Sequence, residues 1–385
     1  MNIVIACDVL GKKNNGTSMA SYNLINYLKS KGHDVTVVCS DYEKEGLEGF
    51  IIVDKLNLGP ILNPILEKNG VSLTKKSKKN SSLMEPAIKD CDILHCMLPF
   101  SLGISACKLA KKYNKPVTAG FHCQAENVTS HFGVMNSKII NKAVYKVFND
   151  KFYKYVDAIH YPTEFIRNDF EKIVGETNGY VISNGVNSYI KAINCEKPEN
   201  LKDKFIILTT GRFAREKMQS VLINAISKSK YNDKIQLIMA GTGPDKQKLE
   251  RLANKKLVNK PIIKYFSRKE MIELLNYSDL YVHPAEIELE GIACLEACVC
   301  GLVPIVSDSE RAATKNFALT ENNKFKCNDA EDLAKKIDYW IEHPEEKASC
   351  KKQYIEYSAV FDQDECMGRM EKMMQDVIEI YKSKG

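Results

Sequence analysis

The chain has 385 residues, 44% of them hydrophobic and 27% charged, and a formal net charge of +6. That length exceeds what one hydrophobic core organises, so two domains are expected, in a protein of ordinary soluble composition. No run of eighteen apolar residues is present to predict a membrane-spanning helix, and no zinc-ligand pattern, basic repeat or RNA-binding signature points to nucleic acid.

The opening "MNIVIACDVL" is apolar over too few residues and lacks a basic flank, so it reads as a first strand and not as a signal peptide. Thirteen cysteines, an odd number without an export signal, predict reduced thiols and a cytoplasmic setting. "NIVIACD", "VTVVC", "DILHCML" and "VTAGF" read as buried parallel strands. Between the first two, Met19, Leu24, Ile25 and Leu28 recur at helical spacing, and Gly32 closes that helix.

Positive charge is concentrated between residues 101 and 155, where nine lysines meet only Glu126 and Asp150. Within "SKIINKAVYKVFNDKFYKYV", Lys138, Lys142 and Lys146 share one helical face. Ile139, Ile140, Ala143, Val144, Val147 and Phe148 supply apolar surface beside them. Lys151 and Lys154 follow among Phe152, Tyr153 and Tyr155. An amphipathic helix packed on the first sheet is one reading; contact with an anionic membrane surface is the other.

The polar stretch "NGVNSYIKAINCEKPENLKDK" marks a join, after which a second strand series begins with "FIILTTG", "IQLIMAG", "IIKYF", "DLYVHP" and "LVPIVS". The expected fold is α/β, two facing Rossmann-like doubly wound domains with a cleft between them. Their boundaries are placed at 1–187 and 188–364, with a helix over 365–385 packing back on the first domain.

Three loops carry the chemistry. "GRFAREK" puts Gly211, Arg212, Arg215, Glu216 and Lys217 after a strand, a phosphate cradle or an exposed basic loop whose cations face solvent. "GTGP" sets Gly241 and Gly243 at a strand–helix turn, without the third glycine of a dinucleotide fingerprint. "HPAEIELEGIACLEACVCG" carries Glu286, Glu288, Glu290 and Glu296 in an apolar run, and a buried unpaired carboxylate costs several kcal/mol. A helix starting there offers the N–H groups of Glu290, Gly291 and Ile292 to an anion or sugar hydroxyl.

Together with "SNGV" and Glu288-x7-Glu296, these loops resemble the retaining glycosyltransferases of family 4, which have the two-domain GT-B fold. "NNGTSMASYNLINYLKSKGHDVTVV" and "FHCQAE" extend the resemblance over nearly the whole chain. It implies that Arg212 and Lys217 neutralise a donor diphosphate, helped by N–H groups near Gly16 and Gly291, with Gly241 among the donor contacts. It also implies that an ionised Glu296 binds the ribose and that Glu288 faces the transferred sugar. His122 would touch the sugar or the leaving phosphate, and the base would lie near Phe266 and Ser267.

The implied reaction moves a hexose from a UDP-sugar with retention, needing no cofactor and no metal. Within the family, "NNGT", "FHCQAENVTSHFG", "YKYVDAIHYPT" and "SERAATKNFAL" look most like bacterial synthases that glycosylate diacylglycerol or ceramide. The expected partners are therefore a nucleotide-sugar donor, a lipid acceptor and the inner face of the cell membrane. A cell-surface polysaccharide acceptor is the alternative, and a nucleotide-sugar-binding protein without catalysis is the alternative of another class. An NAD-dependent dehydrogenase is disfavoured, since "CDVLGKKNNGTSM" has no G-x-G-x-x-G. Two departures stand out: Asn15 replaces the first glycine of the usual loop, and Cys294, Cys298 and Cys300 read as buried small hydrophobes rather than metal ligands. The remaining histidines read as structural, except that His283 ends a strand near the site.

Overall fold

The computed structural model describes the chain except for residues 9, 12–15, 60–62, 64–72, 131–132 and 384–385. Asn15 and part of the "FHCQAENVTSHFG" motif thus lie outside the described residues. The chain divides into two compact units, one of residues 1–184 with 364–385 and the other of 185–363.

In the first unit β1 (Asn2–Ala6), β2 (Asp34–Cys39), β3 (Phe50–Ile52), β4 (Ile93–Cys96), β5 (Val117–Gly120), β6 (Ala158–Tyr161) and β7 (Gly179–Val181) form one sheet, ordered β3-β2-β1-β4-β5-β6-β7. All pairings are parallel; Ile3, for example, lies opposite Val35 on one side and Ile93 on the other. Every residue of β4, β5 and β6 is buried. Strands covered on both faces need no polar alternation, hence their continuous apolar runs.

The helices of this unit are α1 (Gly16–Ser30), α2 (Lys78–Asp90), α3 (Ser101–Lys112), α4 (Ala125–Ser130), α5 (Lys138–Lys151) and α6 (Glu164–Val174). Ser137 caps α5, accepting from the Ile140 N–H. Its inner stripe is Asn141, Tyr145 and Phe148, and Asn141 and Tyr145 donate to the buried carboxylate of Glu126 at 3.0 and 3.1 Å. Its outer face carries Lys138, Lys142 and Lys146 with Ile139 83% and Val147 54% exposed. Phe148, Phe152 and Tyr153 do not join that outer surface, contrary to the sequence reading. They are core residues, and Tyr153 stacks on Phe121 with ring centroids 5.1 Å apart. Burial of these large rings under the helix outweighs their proximity to lysines in the sequence.

In the second unit β8 (Phe205–Thr210), β9 (Ile235–Ala240), β10 (Ile262–Lys264), β11 (Leu280–His283), β12 (Pro304–Ser307) and β13 (Lys324–Phe325) form a parallel sheet ordered β10-β9-β8-β11-β12-β13. Its helices are α7 (Gln219–Lys228), α8 (Lys246–Lys256), α9 (Arg268–Tyr277), α10 (Ile292–Val299), α11 (Ala330–Glu342) and α12 (Pro344–Ser358). Trp340, Tyr281, Phe213 and the thiols of Cys294, Cys298 and Cys300 are part of its core.

The last helix, α13 (Gln363–Ser383), belongs to the first unit from Asp364 onward. Met367, Met370, Met374 and Ile378 are buried along it, Glu371 bonds His33 at 2.8 Å, and the Tyr381 hydroxyl bonds Asn114 at 3.0 Å. In each sheet the strand order reverses once, between β1 and β4 and between β8 and β11. Loops leaving the carboxyl ends of strands on either side of such a reversal diverge and open a crevice.

Candidate functional site

In the second unit that reversal puts the loop after β8 beside the loop after β11. The first, Gly211–Lys217, is stitched to the turn after β9: the Phe213 N–H donates to Thr242 O at 2.9 Å, and the Asp245 N–H donates to Phe213 O at 3.1 Å. A Cβ on Gly241 would collide with the Gly211 carbonyl, so only glycine lets the two loops meet this closely. Gly241, read in the sequence as a donor contact, therefore has a first task in shaping the Arg212 loop. Lys217 ends a single 3-10 turn, Arg215–Lys217, just before α7.

The loop after β11 is held from both sides. The Glu286 N–H donates to Glu216 O at 2.9 Å, the Glu288 N–H to Arg311 O at 3.2 Å, and the Ala313 N–H to Glu288 O at 2.8 Å. Glu286 itself pairs with the Arg311 guanidinium, and Glu290 is buried. Two of the four glutamates that an apolar run made puzzling thus have ionic partners within the protein.

Glu288 is the second of these. Lys217 Nζ lies 2.5 Å and His283 Nε2 3.0 Å from the same carboxylate oxygen, Oε2. Burial alone would raise this carboxyl, but the Lys217 charge and the His283 bond outweigh it and hold the group well below the usual carboxylate range. Lys217 is only 23% exposed, so it is not the solvent-facing cation that the sequence suggests. Its ammonium is turned to the Glu288 carboxylate instead.

Beside Glu288, α10 begins at Gly291, whose φ of 91° lies in the left-handed region and whose missing side chain makes room for the Thr314 methyl group. The N–H groups of Gly291, Ile292 and Ala293 have no acceptor among the described residues. The Glu288 side chain reaches to 3.5 Å of where a Gly291 Cβ would stand. Glu296 lies in the next turn, half-buried, with no hydrogen-bond partner among the described residues. Burial pushes its carboxyl up to about 7, so at neutral pH it is near its midpoint instead of fully ionised as the sequence reading assumed.

The residues read as base contacts have other tasks here. Phe266 is buried in the second core under the Lys264 ammonium, 4.5 Å from the ring centroid. Ser267 caps α9: its hydroxyl accepts from the Glu270 N–H, and its own N–H donates to Glu270 at 2.7 Å. The cap occupies the Ser267 N–H and one lone pair of its hydroxyl, and the O–H hydrogen stays available to a ligand.

In the first unit Gly16 is the exposed first residue of α1. His122 follows β5 with its ring folded over Gly120 and its edge toward His160, centroids 5.4 Å apart. Burial, then the neighbouring His160 and His95, hold His122 well below the ordinary histidine range, which keeps the ring neutral. Its Nε2 has no hydrogen-bond partner among the described residues. Lys138, Lys142, Lys146, Lys151 and Lys154 are all exposed.

The fold thus unites Lys217, Glu288, Gly291 and Glu296 in one unit. Arg311, Thr314 and Tyr281 were not singled out; the signals were the motif "SERAATKNFAL", which holds the first two, and the alternation Tyr281–His283 on β11 for the third. Among the described residues no cluster of His, Cys, Asp and Glu could hold a metal ion, and no helix is long and apolar enough to cross a membrane.

Known proteins agree with this architecture. The family model "Glycosyltransferase Family 4" matches residues 14–188, and "Glycosyl transferases group 1" matches residues 191–356. The alpha-monoglucosyldiacylglycerol synthase of Acholeplasma laidlawii is 23% identical over 346 residues, covering 86% of this chain and 85% of that protein. Its namesake from Streptococcus pneumoniae (strain ATCC BAA-255 / R6) is 24% identical over 233 residues, 56% of this chain and 51% of that protein. The Anabaena Alr3699/HepE structure in complex with UDP and glucose superimposes with a TM-score of 0.75 at 13% identity, covering 97% of this chain and 99% of that one. With one family model over the first half and the other over the second, the chain belongs to the GT-B glycosyltransferases, with bacterial glycolipid synthases among its relatives.

Proposed function

We propose that the protein moves a hexose, glucose or galactose, from a UDP-sugar to a membrane lipid such as diacylglycerol or ceramide, with retention of anomeric configuration. The observation that carries this reading is Glu288: an ionised carboxylate with one oxygen engaged and the other, Oε1, without a partner among the described residues, beside N–H groups at the start of α10 that also lack one there. An acceptor-only oxygen suits a sugar hydroxyl, and backbone donors suit a diphosphate.

In this reading Arg212, Lys217 and the start of α10 take the diphosphate, where charge grows as the glycosidic bond breaks. Glu296 takes the ribose hydroxyls and Glu288 Oε1 a hydroxyl of the hexose. His122, held neutral, is read as a contact to the sugar or the leaving phosphate. Same-face attack, assisted by the leaving phosphate, accounts for retention without a covalent carboxylate intermediate. Two cationic side chains and helix N–H groups do the work for which other transferases use a metal, so the reading asks for none.

The lipid acceptor is supported by the relatives named as glucosyldiacylglycerol synthases and by the apolar, lysine-rich outer face of α5. The protein would then work peripherally on the cytoplasmic leaflet. The test uses labelled UDP-glucose and UDP-galactose with vesicles bearing diacylglycerol or ceramide, and a soluble glycan as competitor. An α-linked glycolipid is the expected product, its configuration read from the anomeric coupling by NMR. Label confined to the glycan, an inverted product, or UDP binding with no transfer would each overturn the reading.

A further inference from the structure

Behind Glu288 a chain of hydrogen bonds crosses the carboxyl ends of β8 and β11. Thr210 Oγ1 lies 2.9 Å from the Tyr281 hydroxyl, which lies 3.4 Å from His283 Nδ1; His283 Nε2 lies 3.0 Å from Glu288 Oε2. Tyr281 and His283 are two residues apart on one face of the sheet, stacked at 24°, and both are buried. An ionised carboxylate can only accept, so His283 Nε2 must carry a hydrogen. In the neutral imidazole Nδ1 is then the acceptor, the Tyr281 hydroxyl donates to it, and Thr210 donates to the Tyr281 oxygen. For the neutral ring this assignment satisfies every group.

Two donors, Lys217 and His283, share Oε2, and Oε1 has no partner among the described residues. Lys217 cannot keep its full charge on Glu288 and also serve a diphosphate. His283 has no such second demand, since its other nitrogen is taken by Tyr281. We propose that His283 is a positioning residue for Glu288: held in one tautomer by Tyr281 and Thr210, it keeps Oε2 anchored while Lys217 turns to the donor diphosphate, so that Oε1 stays aimed at a hydroxyl of the transferred hexose. This rests on the UDP-hexose reading above for the identity of the ligand.

The experiment compares UDP with UDP-glucose and UDP-galactose by calorimetry on the full chain, in wild type, His283→Leu, His283→Gln and Tyr281→Phe. UDP affinity is expected to stay within about twofold throughout, which also shows that each variant folds. The extra affinity for the hexose-bearing donor is expected to vanish in His283→Leu. Its kcat should fall on the order of 10²-fold, the usual cost of a misplaced reacting contact. His283→Gln, whose amide can donate from a similar position, is expected to restore most of both.

Nitrogen NMR of histidine-labelled protein should show His283 as the Nε2–H tautomer, with its Nδ1 resonance moving in Tyr281→Phe. A hexose preference and kcat left intact in His283→Leu, or an Nδ1–H tautomer in wild type, would overturn the proposal. If wild type makes no glycolipid at all, the lipid-transfer reading fails alone. The tautomer and the ratio of UDP-hexose to UDP affinity still judge His283.

Discussion

Lys217 Nζ and Glu288 Oε2 stand 2.5 Å apart, an ion pair between groups 23% and 16% exposed that joins the loops following β8 and β11. The pair ties together two loops of the second unit, so a change at either end is expected to be felt in folding and, on the proposed function, in turnover.

Lys217→Ala leaves a buried carboxylate without its charge partner, and breaking such a pair costs about 3–5 kcal/mol. His283 still donates to Glu288, so the low end of that range is expected. Turnover should fall roughly 10²- to 10³-fold, as for loss of one donor to a developing anion. Adding Glu288→Gln should recover part of the stability and none of the turnover. Urea unfolding of Lys217→Ala at the wild-type midpoint would show that the pair carries no stability.

With Glu296 on the ribose, as proposed, donor binding is expected to be proton-linked. Its carboxyl is raised from 4.5 to about 7 in the fold. The stabilising contribution of this group is therefore complete below the unfolded value and is lost as pH rises through the folded one. Ribose hydroxyls prefer the ionised form, so UDP binding near pH 6 should release close to one proton, and little near pH 8. Calorimetry in buffers of different ionisation enthalpy reads this directly. Identical buffer dependence in wild type and Glu296→Gln would remove Glu296 from the ribose.

Gly291→Ala tests the start of α10. The left-handed φ of 91° strains any side chain, and a Cβ would meet the Thr314 methyl group. A loss of about 1–3 kcal/mol is expected from backbone strain of this kind. UDP affinity should fall with it as the N–H groups shift. Thr314→Ser, which removes the methyl and keeps the hydroxyl, should rescue part of the loss. A wild-type Tm and UDP affinity in Gly291→Ala would refute this account.

The outer face of α5 is expected to dock on anionic lipid. Each lysine near such a surface contributes on the order of 1 kcal/mol, screened by salt. Lys138, Lys142 and Lys146 changed together to Glu should abolish cosedimentation with anionic vesicles and slow transfer to a vesicle-borne acceptor. UDP binding should not change, because these side chains are exposed on a helix of the first unit. Equal cosedimentation on neutral and anionic vesicles would reject this face as the contact.

The doubly wound architecture was legible in the sequence because strands buried on both faces must be continuously apolar, and helices between them must carry a periodic stripe. β1, β2, β4 and β5 and most of the second sheet could be read in this way. β3, β6, β7 and β13 were not read, and length alone does not set them apart, since β4 and β5 are no longer than β6 and β10 is as short as β3. The loop chemistry was equally visible, since Arg212, Lys217, Glu288 and Glu296 declare themselves by charge after apolar runs.

What those charges touch was decided only by tertiary structure. Glu286 and Glu288 are indistinguishable in "AEIELEG", yet one pairs with Arg311 and the other with Lys217 and His283. Gly241 shapes a neighbouring loop, Ser267 caps a helix, and Phe148 and Tyr153 leave the lysine face for the core. Pairing and desolvation depend on distances between segments tens of residues apart, and these arise only when the sheet brings its strand ends together.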